Sequence, residues 1–239
     1  MIRNDWLRCV GRWLRNRLPI GGRLSYAQEG EDLVLARLFE VEDGPGFFVD
    51  IGAHHPVRYS NTYYFYRRGW TGLNVDALPG TANLFRRMRP KDITVECGIG
   101  AKEGFLTYFA FNDPALNTFS AQEAEMINHP PYHVVNKVQL PVMTLAKLLD
   151  QQLPKGMAID FMTVDTEGLD HDVIASNDWD RYRPKVVLVE LLNTGIADLP
   201  SNPTARLLQG QRYQLYAKTC NTFFFLAQEA AHRWNGQLA

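Results

Sequence analysis

Gly46-Phe47-Phe48-Val49-Asp50-Ile51-Gly52-Ala53-His54-His55 is the stretch on which the reading of this chain turns. Phe47, Phe48, Val49 and Ile51 form an apolar run bounded by glycines, the pattern of a strand buried on both faces of a parallel sheet. The run ends in Asp50 and Gly52, and in open α/β sheets ligands bind outside the carboxyl ends of the strands. Gly52 has no Cβ, so a ligand can lie close to the backbone there. Asp50 puts a negative charge at the same end.

One glycine follows Asp50 and no G-x-G-x-x-G is present, so the stretch is not a dinucleotide fingerprint. A pyrophosphate wants several glycines and a bare helix N-terminus. An acid beside a single glycine suits a ligand with an ammonium or sulfonium group, and S-adenosylmethionine is such a ligand. The plain alternative is a core strand ending in a turn. Leu73-Asn74-Val75-Asp76 reads as the next strand. Asp76 follows Gly52 at about the spacing that separates a nucleotide-binding glycine from the acid on the ribose hydroxyls. A carboxylate there can accept both hydrogen bonds of a vicinal diol.

Working outward, the 239 residues carry 25 Lys and Arg against 26 Asp and Glu, which argues against a general nucleic-acid binder. The length suits one α/β domain with appendages. Cys9, Cys97 and Cys220 are few and far apart, with no disulfide or zinc spacing, which fits a reducing cytoplasm. No run reaches the length of a transmembrane helix.

Residues 1–24 stand apart from the expected domain, 25–239. Arg3, Arg8, Arg12, Arg15, Arg17 and Arg23 face a single acid, Asp5, while Ile2, Trp6, Val10, Trp13 and Leu14 recur at helical spacing. Two readings are open: a basic amphipathic helix lying on an anionic membrane surface, at the inner face, or a helix docked on its own domain or on a partner subunit of a homodimer. Ser25-Tyr26-Ala27-Gln28 has the form of a capping box, which predicts a helix from there to about Phe39.

Ser60 or Asn61 is expected to cap a helix ending at Gly69, and residues 81–88 a helix after Pro79. Ile93 to Cys97 reads as a third strand closed by Gly98-Ile99-Gly100, where an adenine ring has room against the backbone. Residues 104–142 break the strand–helix alternation and read as an insertion near the sheet edge, the kind of segment that selects substrate. His129 and His133 flank Pro130-Pro131, which argues against a helical metal pair. Thr144 caps a helix; Ile159 to Asp165 and Val186 to Val189 are further strands, the latter ending in Glu190. Tyr213 to Lys218 and Thr222 to Leu226 form a terminal hairpin.

These pieces, in this order, resemble a class I S-adenosylmethionine-dependent methyltransferase and, more closely, the FkbM family. The resemblance is carried by Ser25 to Asp32, Phe48 to Pro56, Ser60-Asn61-Thr62-Tyr63, Gly69 to Asp76, Ala115 to Ser120 and Asp160 to Gly168. It implies a Rossmann-like α/β fold: a seven-stranded, mostly parallel sheet with helices on both faces and an antiparallel final strand. It implies O-methylation, often of sugars in surface polysaccharides, glycolipids or natural products. Asp50, Gly52 and Ala53 are then expected at the methionine part of the cofactor, Asp76 and Ala77 at the ribose, Gly98 and Ile99 at the adenine, and Asp165 between methionine and acceptor.

A hydroxyl attacking a methyl group must lose its proton, so a base is expected. His55, His54, Asp165, Glu167 and Glu190 are the candidates, with His55 favoured because imidazole titrates near neutrality. A rival chemistry uses a divalent ion held by Asp165, Glu167, Asp170 and Glu190. A non-catalytic binder on the same fold is the rival from another class, and a dehydrogenase is weakened by the missing glycines.

Overall fold

The computed structural model describes residues 22–40 and 44–235, with side chains as far as Ala231. Most of the basic leader therefore lies outside the described residues. Ten strands are present among them: β1 (Phe47–Ile51), β2 (Thr71–Asp76), β3 (Ile93–Glu96), β4 (Gly98–Ile99), β5 (Gly104–Phe111), β6 (Val134–Met143), β7 (Phe161–Val164), β8 (Val186–Glu190), β9 (Tyr213–Lys218) and β10 (Thr222–Ala227). The helices are α1 (Glu31–Phe39), α2 (Tyr63–Tyr66), α3 (Thr81–Met88), α4 (Ala121–Ile127), α5 (Leu145–Gln152), α6 (Asp170–Ala175), α7 (Pro203–Gly210) and α8 (Gln228–Asn235).

Seven strands form one sheet in the order β3-β2-β1-β7-β8-β10-β9. β1 pairs parallel with β2 and β7, β2 with β3, and β7 with β8; β10 runs antiparallel to both β8 and β9. This is the mostly parallel, seven-stranded fold expected of a class I methyltransferase. β1 and β7 are buried along their whole length, so side chains pointing to either face are covered. Helices α3, α6, α7 and α8 pack against β3, β7, β9 and β10. Phe39, Phe65, Trp70 and Phe161 meet edge-on or tilted, with centroids 4.9–6.1 Å apart, and join α1 and α2 to the sheet. None of the described helices is long and apolar enough to cross a membrane.

The helix expected from Ser25 starts at Glu31 instead, because Gly30 is left-handed (φ 86°) and breaks it. Ser25 Oγ donates to Asp32 Oδ1 (2.6 Å) and the Tyr26 amide to Asp32 Oδ2 (2.7 Å), so residues 25–30 form a strap tied to the helix by a fully buried acid. α2 is a single turn. Ser60 Oγ does accept from the Thr62 and Tyr63 amides, whereas Asn61 turns away and donates to Thr163 Oγ1 (3.0 Å).

The segment read as an insertion forms a second sheet, β4-β6-β5. Gly98-Ile99 is a short strand pairing with Val142 and Met143 at the end of β6. α4 was not legible in advance. His129 and His133 share no helix; the His129 amide donates to Ile127 O and the His133 amide to Asn112 Oδ1. Thr144 Oγ1 accepts from the Lys147 amide (3.2 Å) as the N-cap of α5. Thr144→Ala is expected to cost about 1 kcal/mol, read from the urea midpoint, the usual loss for an N-cap.

Candidate active site

An open cavity of about 1090 Å³, counted out to its mouth, runs along the carboxyl edge of the large sheet. Its floor follows the strand order: Cys97, Gly98 and Ile99 after β3, Asp76 to Leu78 at β2, Ile51, Gly52 and His54 at β1, Asp165 to Glu167 at β7, Glu190 at β8, and Asn221 and Thr222 at β10. Neighbouring strands lie about 4.8 Å apart, so the tips of β2 and β7 are roughly 10 Å apart and that of β8 is one strand further. One end is apolar, with Leu78, Cys97, Ile99, Tyr108 and Phe119; the other is polar and acidic.

At the apolar end, Asp76 is fixed by two backbone donors. Its Oδ2 accepts from the His54 amide and its Oδ1 from the Leu78 amide, both at 2.7 Å. A carboxylate has about four acceptor positions, so capacity for two further donors remains. Burial pushes this carboxyl above the ordinary range, against the two amides that stabilise its charge. Burial also pushes the Cys97 thiol up to about 11, so it stays neutral at this wall.

Gly52 and Gly98 line the cavity, but their missing side chains are required by the protein itself. Gly52 has φ 86°, and a Cβ on it would lie 1.6 Å from the Asp165 carbonyl oxygen. A Cβ on Gly98 would lie 2.6 Å from Val142 and 2.7 Å from Phe119. The same missing side chains also let β1 meet the β7 tip and the insertion meet β4. Ala53 is buried and outside the lining, its amide donating to Val75 O (3.0 Å).

At the acidic end Asp165, Glu167 and Glu190 converge, with one oxygen of each within 4.8 Å of the others. Glu167 is held at positive φ (50°), an uncommon conformation for a non-glycine residue, and its carbonyl accepts from Thr118 Oγ1 (2.6 Å) of the insertion. Burial, then neighbouring carboxylates, raise both Glu167 and Glu190 to about 8. Asp165 is raised well above its usual value, first by burial and then by Glu190 beside it. Glu190 Oε2 is buried and has no hydrogen-bond partner. Asp170, expected in this group, does not join it: its carboxylate accepts from the Thr166 and Gly168 amides and from Thr166 Oγ1.

The two histidines part company. His54 lines the cavity at positive φ (48°), and burial, then Arg58, lowers its pKa, favouring the neutral ring. His55 does not line it. Its Nδ1 accepts from the Val57 and Arg58 amides (both 3.0 Å), which makes it a loop cap and not the favoured base. Asp50 is also displaced from its expected role. Its carboxylate is buried outside the lining and accepts from Thr62 Oγ1 (2.7 Å), and burial raises it to about 6.

The strap and the far hairpin supply a further wall. Gln28, Glu29 and Glu31 face the cavity; Glu31 accepts from Thr219 Oγ1 (2.7 Å), and Glu29 from the Asn221 amide (3.2 Å). Tyr59, Asn61 and Asn117 add polar contacts from loops.

The methyltransferase FkbM domain matches residues 50–212, about two thirds of the chain. The chain belongs to the FkbM methyltransferase family. As an FkbM methyltransferase it uses S-adenosylmethionine as its methyl donor. No curated protein matches it. Among solved structures it is similar to a TehB-like methyltransferase of Corynebacterium glutamicum (12% identity, 92% of this chain and 97% of that one, TM-score 0.41). An O-methyltransferase of Bacillus cereus solved with S-adenosylhomocysteine matches at 12% identity over 94% and 91%, TM-score 0.42. CalS11, a TDP-rhamnose 3'-O-methyltransferase, matches at 12% over 91% and 87%, TM-score 0.42.

The residues present in this FkbM methyltransferase fit the cofactor. The apolar slot by Leu78, Cys97 and Ile99 suits a flat base, the pinned Asp76 a ribose diol, and the acids beyond β1 a cationic tail.

Proposed function

We propose that this chain methylates a hydroxyl, on a sugar of a surface polysaccharide, glycolipid or natural product, with Glu190 as general base. The observation that carries the reading is the convergence of Asp165, Glu167 and Glu190 at the tips of β7 and β8, across the β1 tip from Asp76. When bound, S-adenosylmethionine supplies an electrophilic methyl group on a sulfonium. Asp76 accepts from the ribose hydroxyls, while Ala77, Gly98 and Ile99 border the base. An acceptor hydroxyl at the acidic end donates to the Glu190 carboxylate, which lines the cavity. A carboxylate whose pKa is raised to about 8 is a stronger base than an ordinary one, and a positioned base contributes about 10² to 10⁴ in rate. Burial and the neighbouring Glu190 both favour the proton on Asp165, which limits negative charge beside the base.

The insertion supplies Tyr108, Asn117 and Phe119 to the cavity and Thr118 to the Glu167 carbonyl, which fits a role in choosing the acceptor. The test is mass spectrometry of surface glycans and metabolites with and without the gene, paired with S-adenosylhomocysteine release by the purified protein. One glycan lighter by a methylene in the deletion strain is the expected result; methylation of a nitrogen or carbon centre instead would overturn the reading.

The basic leader supports a second element: attachment to an anionic lipid surface on the cytoplasmic side, consistent with a membrane-assembled acceptor. Deleting residues 1–24 is expected to reduce co-sedimentation with phosphatidylserine vesicles while leaving S-adenosylhomocysteine affinity unchanged.

A further inference from the structure

A buried polar chain lies behind the β1 tip. Arg89 is fully buried. Its Nε and Nη2 lie 2.7 Å from Asp92 Oδ2, and its Nη1 donates to Thr62 Oγ1 at 3.0 Å. The rings of Phe48, Tyr66 and Phe85 surround the guanidinium at 5.1–5.3 Å. A guanidinium only donates, so the single hydroxyl proton of Thr62 goes to Asp50 Oδ2, 2.7 Å away. The charge of Arg89 is thus met directly by Asp92 and, through Thr62, by Asp50.

Thr62 ends the segment that leaves β1 and enters α2. That segment brings His54, Tyr59 and Asn61 to the cavity. It holds two non-glycine residues at positive φ, His54 (48°) and Tyr59 (57°). Such conformations persist only where the surroundings over-determine them. The segment is tied at Ser60, whose amide donates to Tyr26 O (3.0 Å), and at Asn61, through Thr163. Thr62, held between Arg89 and Asp50, anchors its far end.

We infer that Asp50 is a positioning residue: through Thr62 and Arg89 it fixes residues 53–62 so that His54, Tyr59 and Asn61 wall the cavity, and it does not itself touch the ligand. The link to cofactor binding rests on the proposed function; the clamp itself does not. Two measurements on the full chain test it: calorimetry with S-adenosylhomocysteine, and hydrogen exchange of the ligand-free protein. Thr62→Val and Asp50→Ala are each expected to weaken binding about tenfold or more. The double variant should lose no more than either single, as members of one network do. Both should speed exchange at the Val57, Arg58, Ser60 and Thr62 amides relative to those of β8, and Thr62→Ser should restore both readouts.

Where Asp50→Ala fails to fold, Asp50→Asn takes its place. Thr62→Val binding within twofold of the unmodified protein, while the Asp50 variant loses affinity, would make Asp50 a direct ligand and overturn the inference. So would unchanged exchange in 57–62. The expected exchange pattern in a protein that binds no S-adenosylhomocysteine would remove the cofactor site and leave the clamp standing.

Discussion

Asp76→Ala is expected to abolish measurable binding of S-adenosylhomocysteine in calorimetry. The carboxylate is held by the His54 and Leu78 amides, so its free lone pairs are fixed toward the cavity. Two hydrogen bonds from a diol to a charged acceptor contribute about 1.5–3 kcal/mol each. Every 1.4 kcal/mol is tenfold in affinity, so a loss of roughly 10² or more follows. The substitution also frees two backbone donors, so the melting temperature is measured alongside. Asp76→Asn is the sharper comparison, because it keeps the shape but replaces one acceptor oxygen with a donor. Binding by either variant at the unmodified level would remove the ribose site from the tip of β2.

Glu190→Gln is expected to lower kcat by about 10² to 10⁴, the range for a positioned base, with cofactor affinity within a few-fold. The pH profile carries the sign. A base must be deprotonated, and Glu190 and Glu167 are both raised to about 8. The rate should therefore climb with pH up to about 8 and then level off. The glutamine variant should show no such climb. The apparent midpoint belongs to the three-carboxylate group as a whole, since its members titrate together.

Stability should run the other way. A carboxyl raised in the folded state binds its proton more tightly there than when unfolded. The ligand-free protein should thus lose stability as pH rises from the usual carboxylate value of 4.5 to about 8. A rate that is flat across this window would move the base elsewhere.

The sheet was readable because its central strands are unambiguous. Phe47 to Ile51, Phe161 to Val164 and Val186 to Val189 are apolar but for Asp50 and Thr163, the pattern of strands covered on both faces in a parallel sheet. The place of Asp76 at the cavity was readable because it follows from a strand tip and a spacing. Asp50 and His55 were misplaced because chain position fixes a residue's neighbourhood, not the direction of its side chain. Asp50 sits beside Asn74 and Thr163 in register and turns to a hydroxyl in the following loop. Nothing in a ten-residue window announces Thr62 or Arg89. The start of α1 was missed for a similar reason: a capping box fits Ser25, but one left-handed glycine at position 30 overrides it. The acids within 28–32 admit a covering role over the pocket from sequence, but the wall they make by pairing with residues 219–222, nearly two hundred positions away, is beyond the reach of local pattern.

That wall has a practical consequence for anyone cutting or grafting this enzyme. Gln28, Glu29, Glu31, Asn221 and Thr222 all fall outside the stretch 50–212 matched by the FkbM domain. A gene trimmed to 50–212 would lose that wall together with Phe47–Val49 of β1 and the whole of β9 and β10, three members of the large sheet. Chimeras meant to exchange acceptor preference should therefore carry both termini with the body of the enzyme and swap the 104–142 arm alone.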